Sequence, residues 1–259
     1  MTDGPASTTL GRHVRLLRHL AAAGGNGLSV TELAQRSALP HPTVHRLLQQ
    51  LLAERLVRPL PGTRRYGLGA LTFELGLAAS RQHDLRQVCR PVLTRLAQTS
   101  GETAYLVVRS DNEAVCLDAV AGSRHRGRAL APGSRRPLAV GAGGLAIYCA
   151  LDATERSAVA DDLGPVLTRD WRTTPADLGS LVTRVRADGY AVARDRVTPG
   201  VTGLGLPVRD DRGRPLAALT LAGASARMNA RRLPGLVTTL THAQRAVERA
   251  LDRPVGGAG

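Results

Sequence analysis

The segment Leu28–Gly69, LSVTELAQRSALPHPTVHRLLQQLLAERLVRPLPGTRRYGLG, admits few folds. Ser29 followed by Glu32 has the spacing of a capping box, which satisfies free amides at a helix start, so a helix runs from there to about Ser37. Ala38-Leu39-Pro40 makes a tight turn. A second helix opens near His41, with Pro42 tolerated in the first turn because an amide there has no intrahelical acceptor. Val44, Leu47, Leu48, Leu51 and Leu52 recur at helical spacing and form its buried stripe. His41, Thr43, His45, Arg46, Gln49 and Gln50 lie off that stripe and face outward.

Two short helices on a tight turn make a helix-turn-helix, a pattern shared with helical hairpins of ordinary bundles. The residues that follow decide between them. LVRPL and RRYGLG read as short strands around Pro61-Gly62-Thr63-Arg64, a hairpin whose tip carries Arg64 and Arg65. With a leading amphipathic helix over Leu10–Ala23, the order is that of a winged helix-turn-helix. The polar face of the second helix suits a major groove, and a basic wing suits phosphates or a minor groove. The expected DNA-binding residues are Ser29, His41, Thr43, His45, Arg46, Gln49, Thr63, Arg64 and Arg65.

Charge agrees with this reading. The 259-residue chain carries a formal net charge of +14, and every basic side chain outside histidine is arginine. Such an excess favours an anionic partner, most often nucleic acid. Aromatics make up only 2 % of the residues, too few for base-stacking platforms of the single-strand type. The 3 cysteines, Cys89, Cys116 and Cys149, are isolated and odd in number. They read as buried small residues in a reducing compartment rather than as a disulfide framework or zinc site. No signal peptide and no run of transmembrane length is seen, so a cytoplasmic protein without membrane association is expected.

After a helix over Leu68–Arg81 that joins the wing without a flexible linker, the pattern changes. Leu85–Thr99 is amphipathic, with Pro91 as a kink or restart. TAYLVVRS and EAVCLDAV alternate around Ser110-Asp111-Asn112 as a hairpin. RGRALAPGSRRPL reads as strand and loop, and VGAGGLAIYCAL as a glycine-rich turn onto a helix. Ala153–Leu163 and Pro175–Asp188 are helical. YAVARDRVT, GLGLPVRD and PLAALTLAG are strands, and Asn229–Leu251 is a closing helix. Residues 1–9 and the tail after Asp252 read as loose. The expected fold class is α+β. Its parts are a winged helix-turn-helix domain over residues 1–68, a linker helix over 69–83 and an antiparallel-sheet domain over 84–254.

An enzyme is the first rival. No glycine-flanked serine elbow is present. Gly141–Gly144 lacks the lysine and Ser/Thr of a phosphate loop. His41 and His45 sit at i, i+4 on one helix face but have no third ligand in sight, and the other histidines, His83 and His125 among them, lack metal-ligand spacing. No metal, cofactor or catalytic residue is therefore expected.

The chain resembles the IclR-type transcriptional regulators along nearly its whole length. The carrying stretches are GLSVTELAQRSALPHPTVHRLLQQLLAERLV, RRYGLGALTFELG, DLRQVCRPVLTRLAQTSGETAYL, DGYAV, PGV and LPVRDDRGRPLAALTLAG, in matching order. The resemblance implies a GAF-like effector-binding and oligomerisation domain. It also implies dimers or dimers of dimers on a pseudo-palindromic double-stranded DNA operator, small-molecule control, and repression as the usual outcome. The departures lie in the pocket: Ala139 stands where the family has histidine, Leu145 where it has lysine, Ala193 where a run of acids begins, and Gly203 where a cysteine is common. The implied effector positions are thus Ala142, Gly143, Ala193, Val201 and Gly203. So small and apolar a set offers little to a small organic acid. It leaves open a bulkier or more apolar ligand, or a pocket that works without one.

Overall fold

The structure, a computed structural model, describes residues 8–80, 85–124 and 130–251. The ends of the chain, the last residues of the expected linker helix, His83, His125 and most of RGRAL lie outside them. The chain divides into two compact units, residues 1–84 and 85–259.

The first unit is built on three helices. The first, α1 (Thr9–Ala23), is followed by a 3-10 turn. The helix pair is α2 (Val30–Ser37) and α3 (His41–Ala53). Leu16, Leu20, Leu33, Val44, Leu47, Leu48 and Leu51 form a single core, which Val57 and Tyr66 close from the wing. Strand β1 (Leu28–Ser29), too short to read from sequence, joins β2 (Val57–Pro59) and β3 (Arg65–Leu68) in a sheet of order β1-β3-β2. Gly27 makes that close approach feasible: it has φ +56°, and a Cβ there would lie 2.3 Å from the Tyr66 carbonyl oxygen. The unit's last helix, α4 (Ala70–Ser80), is apolar yet exposed, with Phe73 at 70 % and Leu75 at 56 %.

The second unit centres on an antiparallel six-stranded sheet of order β6-β5-β4-β9-β8-β7. The strands are β4 (Thr103–Ser110), β5 (Glu113–Val120), β6 (Arg135–Pro137), β7 (Ala191–Arg194), β8 (Val201–Arg209) and β9 (Pro215–Ala224). Strand alternation sends Ala104, Leu106, Leu204, Leu206, Leu219 and Leu221 to one face. There they pack on α5 (Leu85–Ser100) and α9 (Leu233–Leu251). The other face packs on α6 (Gly141–Ala150), backed by α7 (Ala153–Trp171) and α8 (Pro175–Asp188). The helices differ from the sequence reading in places, the closing helix starting at Leu233 rather than Asn229. Pro91 sits inside an unbroken α5, and α7 continues through Gly164-Pro165 to Trp171, which packs against the α6-side core.

A buried carboxylate ties this unit together. Glu102, its side chain 1 % exposed, leads into β4 and receives Arg227 Nη2 at 2.8 Å and Arg232 Nη1 at 3.0 Å. Arg232 also donates to the Ser100 carbonyl at 3.1 Å. The edge of β4 and the turn between β9 and α9 therefore share one ion triad.

The thiols are structural. Cys89, Cys116 and Cys149 are free and buried, and burial pushes each of their pKa values up to about 12. The native protein should therefore leave a disulfide reagent such as DTNB unconsumed at mildly alkaline pH, and in guanidinium all 3 cysteines should react. Rapid modification of even one thiol in the folded state would contradict the packing.

Candidate nucleic-acid interface and effector pocket

The helix-turn-helix frame rests on Glu32. Ser29 Oγ accepts from the Glu32 amide at 3.2 Å, and Glu32 Oε2 accepts from the Ser29 amide at 2.8 Å. The Ser29 amide, then its hydroxyl, hold the Glu32 carboxyl below its ordinary pKa against some desolvation, and Arg65 adds to the effect. The box fixes where α2 starts and so how α3 crosses it.

On α3, the buried stripe leaves a continuous polar face. His41, His45, Arg46 and Gln49 are exposed and Thr43 is partly so. None of His41, His45, Arg46 and Gln49 has a hydrogen bond or ion pair through its side chain among the described residues. The neighbouring Gln50 is different: its Oε1 lies 2.9 Å from His13 Nε2 of α1, which ties that residue into the frame.

The wing departs from expectation at one position. Arg64 is exposed at the tip. Thr63 shapes the turn, donating to the Leu60 carbonyl at 3.0 Å and accepting from the Arg65 amide at 3.2 Å. Arg65, expected at the tip beside Arg64, instead opens β3 and turns back. Its Nη2 donates to Glu32 Oε1 at 2.7 Å, and its Nη1 donates to Glu32 Oε2 at 3.0 Å and to the Gly27 carbonyl at 3.2 Å. The physical reason is strand parity plus the capping carboxylate, an acceptor within reach that sequence adjacency does not reveal. Ser29 is likewise engaged by its own cap. Arg58, exposed on β2 and lining a groove with Asn26, Pro61 and Thr63, was missed. Its alternation with buried Val57 was the available signal.

In the second unit, α6 lies on the sheet with almost no side chains between. Ala142 and Gly143 form its first turn, and Ala193 pairs across the strands with Gly203. A Cβ on Gly203 would sit 3.0 Å from Ala142 Cβ, and one on Gly205 only 2.5 Å from the Ala142 carbonyl oxygen. The structure thus brings Ala142, Gly143, Ala193 and Gly203 together, with the half-buried Val201 further along the same face of β8. Two polar groups here escaped the sequence reading. Thr220 Oγ1 is buried without a hydrogen-bond partner among the described residues. It is 2.8 Å from where a Gly143 Cβ would be. Tyr105 stands opposite Thr220 in the β4–β9 register, and its hydroxyl accepts from the Leu130 amide at 3.4 Å. Strand parity alone puts both toward α6, but only after the pairing is known.

Replacing Gly205 with alanine should destabilise this unit by about 1–3 kcal/mol, because backbone rather than a yielding side chain blocks the new methyl. Urea unfolding followed by circular dichroism measures it, and wild-type stability in the variant would show that α6 is not seated this closely.

A recognition helix with an uncommitted polar face, a wing and a separate sheet domain define a DNA-binding regulator. The comparisons with known proteins say which kind. Residues 9–61 match the IclR helix-turn-helix domain, and residues 77–249 match the family described as bacterial transcriptional regulator IclR C-terminal. The chain is 28 % identical over 224 residues to the transcriptional repressor IclR of Escherichia coli K12, covering 85 % of this chain and 81 % of that one. It is 31 % identical over 232 residues to the HTH-type transcriptional repressor AllR of Salmonella typhi, covering 88 % and 84 %. Its fold matches an IclR homologue from Microbacterium hydrocarbonoxydans crystallised with 4-hydroxybenzoate. The TM-score is 0.71 at 24 % identity over 94 % of this chain and 99 % of that one. The chain belongs to the IclR family of bacterial transcriptional regulators. It is a DNA-binding regulator with a C-terminal effector domain, not an enzyme. No helix among the described residues is long and apolar enough to cross a membrane.

Proposed function

We propose that this regulator is a cytoplasmic repressor. It reads its operator through Thr43, His45, Arg46 and Gln49 of α3, with His41 beside them, and sets the wing on the backbone through Thr63, Arg64 and Arg58. The observation that carries the reading is the set of exposed α3 side chains that the fold leaves without partners. Side chains committed inside the domain would have to break those bonds to reach DNA; these do not. Ser29 and Arg65 then act on DNA binding through the frame, by fixing α2 and the wing.

The same reading makes the protein a homo-oligomer, a dimer or a dimer of dimers. The exposed apolar run of α4, Phe73 and Leu75 with it, supports burial against a second copy. A two-fold dimer presents paired recognition helices to half-sites about one or more helical turns apart. The effector site in this reading is the α6 face around Ala142, Gly143, Ala193, Val201 and Gly203. A ligand there would shift the balance between arrangements that bind DNA differently.

The test is binding of the purified full chain to fragments from around its own gene, over a salt series with random DNA as competitor. Tight binding to one fragment that survives competition supports the reading. Equal, steeply salt-dependent binding to every fragment would reduce it to non-specific charge attraction.

A further inference from the structure

Most of the chain's excess positive charge lies outside the DNA-reading unit. Residues 85–259 contain 25 arginines against 16 acidic residues, and residues 1–84 contain 10 against 5. The α5–α9 layer holds a large part of it. Helix α5 carries Arg86, Arg90 and Arg95 and no acid, and α9 carries Arg245 and Arg249 with a single acid, Glu248. Glu248 Oε1 is committed, accepting from the Arg209 amide at 2.9 Å and from Gln244 Nε2 at 3.0 Å.

Where α5 ends and α9 begins, an open cleft of about 450 Å³ is lined by Thr99, Ser123, Arg124, Arg231, Arg232 and Gly235. No acidic residue is among its described lining. The carboxylate that meets these arginines, Glu102, is buried and already taken by both Arg227 and Arg232. Arg232 is thereby fixed at the cleft. Arg124 is set there by its backbone: its amide donates to the Gly101 carbonyl at 3.0 Å, and its carbonyl accepts from Arg227 Nη2 at 3.3 Å. The guanidinium groups of Arg124 and Arg231 are exposed and have no hydrogen bond or ion pair among the described residues. The hydroxyls of Thr99 and Ser123 are unbonded in the same sense. A concave site lined by one sign of charge focuses the field and concentrates counter-ions.

We infer that this cleft binds the phosphate group of a small molecule, held by Arg124 and Arg231 over Arg232, with the Thr99 and Ser123 hydroxyls as further donors. A phosphate carries up to two charges and three strong acceptor oxygens, which suits several guanidinium forks and neutral donors better than a single carboxylate does. Arg86 and Arg90, which could extend a track for a polyanion along α5, are engaged by Asp118 instead. The cleft belongs to the layer across the sheet from α6, so the inference does not rest on the reading of that face.

The experiment titrates the full chain with inorganic phosphate and with phenyl phosphate at constant ionic strength, chloride being the balancing anion. Phosphorus NMR line width and melting temperature are the readouts. Both should respond saturably. Arg124→Gln combined with Arg231→Gln should weaken the apparent affinity by about tenfold or more and leave the ligand-free melting temperature unchanged, since both side chains are exposed and unbonded. Gly235→Leu should lose the response as well: a Cβ there meets nothing within 4 Å, so the new side chain grows into the cleft without disturbing the fold. Arg245→Gln, further along α9, should respond as wild type does. The proposal is overturned if neither phosphate binds saturably, if the double variant or Gly235→Leu keeps wild-type affinity, or if Arg245→Gln loses as much, which would reduce the effect to general charge. Should the double variant melt early, Gly235→Leu decides alone. Weaker binding of a random-sequence duplex by the double variant, with no response of wild type to either phosphate, would make the cleft a DNA-backbone contact and overturn the small-molecule assignment.

Discussion

Arg46→Ala lowers operator affinity by about tenfold or more per half-site, the order expected when a bidentate guanidinium–base contact is removed. The fold should be untouched, because Arg46 is exposed and bonds to no described residue. A change in melting temperature would itself argue against the placement. The pattern across operator variants matters as much as the size. If Arg46 reads a base, the variant loses its ranking of operators at one position. If it clamps a phosphate, affinity falls for all sequences alike and the salt slope drops by about one. Arg64→Ala supplies the comparison, since a wing-tip arginine should show the second pattern. Electrophoretic mobility shifts over a salt series with single-base operator variants measure both. An Arg46→Ala protein that binds every variant as wild type does would mean that α3 presents a different face to the groove.

Glu102→Gln destabilises the effector unit by about 3 kcal/mol near neutral pH, the range for removing one member of a buried ion group. The amide is nearly the same shape, so packing over Gly223 is kept and the loss is electrostatic. Arg227 and Arg232 would be left facing each other without their anion. The pH dependence follows from the carboxyl itself. Burial pushes the Glu102 pKa up, but hydrogen bonds and charge from Arg227 and Arg232 outweigh it and leave the value below the ordinary one. A carboxyl whose folded pKa is depressed contributes stability that is present above its unfolded pKa and lost as pH falls through the folded value. The gap between wild type and Glu102→Gln in urea unfolding should therefore be full near pH 7 and narrow below about pH 4. A gap that stayed constant down to low pH would assign the effect to shape rather than charge.

How much of this was legible in the sequence depends on how local the physics is. The capping box of Ser29 and Glu32, the leucine stripe of α3 and the strands TAYLVVRS and EAVCLDAV are decided by spacing within one element, and the structure has them as read. The helix read as Ala153–Leu163 runs on through Gly164-Pro165 to Trp171, because the turns on both sides of the proline bury leucines, Leu163 and Leu167. Arg65 misled because its partner Glu32 is 33 residues away. The proposed α6 site was half visible. The small residues stood out through the family pattern, whereas Thr220 and Tyr105 are placed beside them only once β9 and β4 are laid side by side. Neither differs, as a residue type on an alternating strand, from many that simply face solvent or core.

The division of α3 into two faces has a consequence for how such a protein diverges. Its inner leucines and valine carry stability, and its outer polar side chains carry none, since exposed substitutions away from caps and cores change stability by only about 0.5 kcal/mol. On the proposed reading of α3, operator preference can therefore drift, or be rewritten by design, at His45, Arg46 and Gln49 without renegotiating the fold, while Gln50, held by His13, marks where that freedom stops.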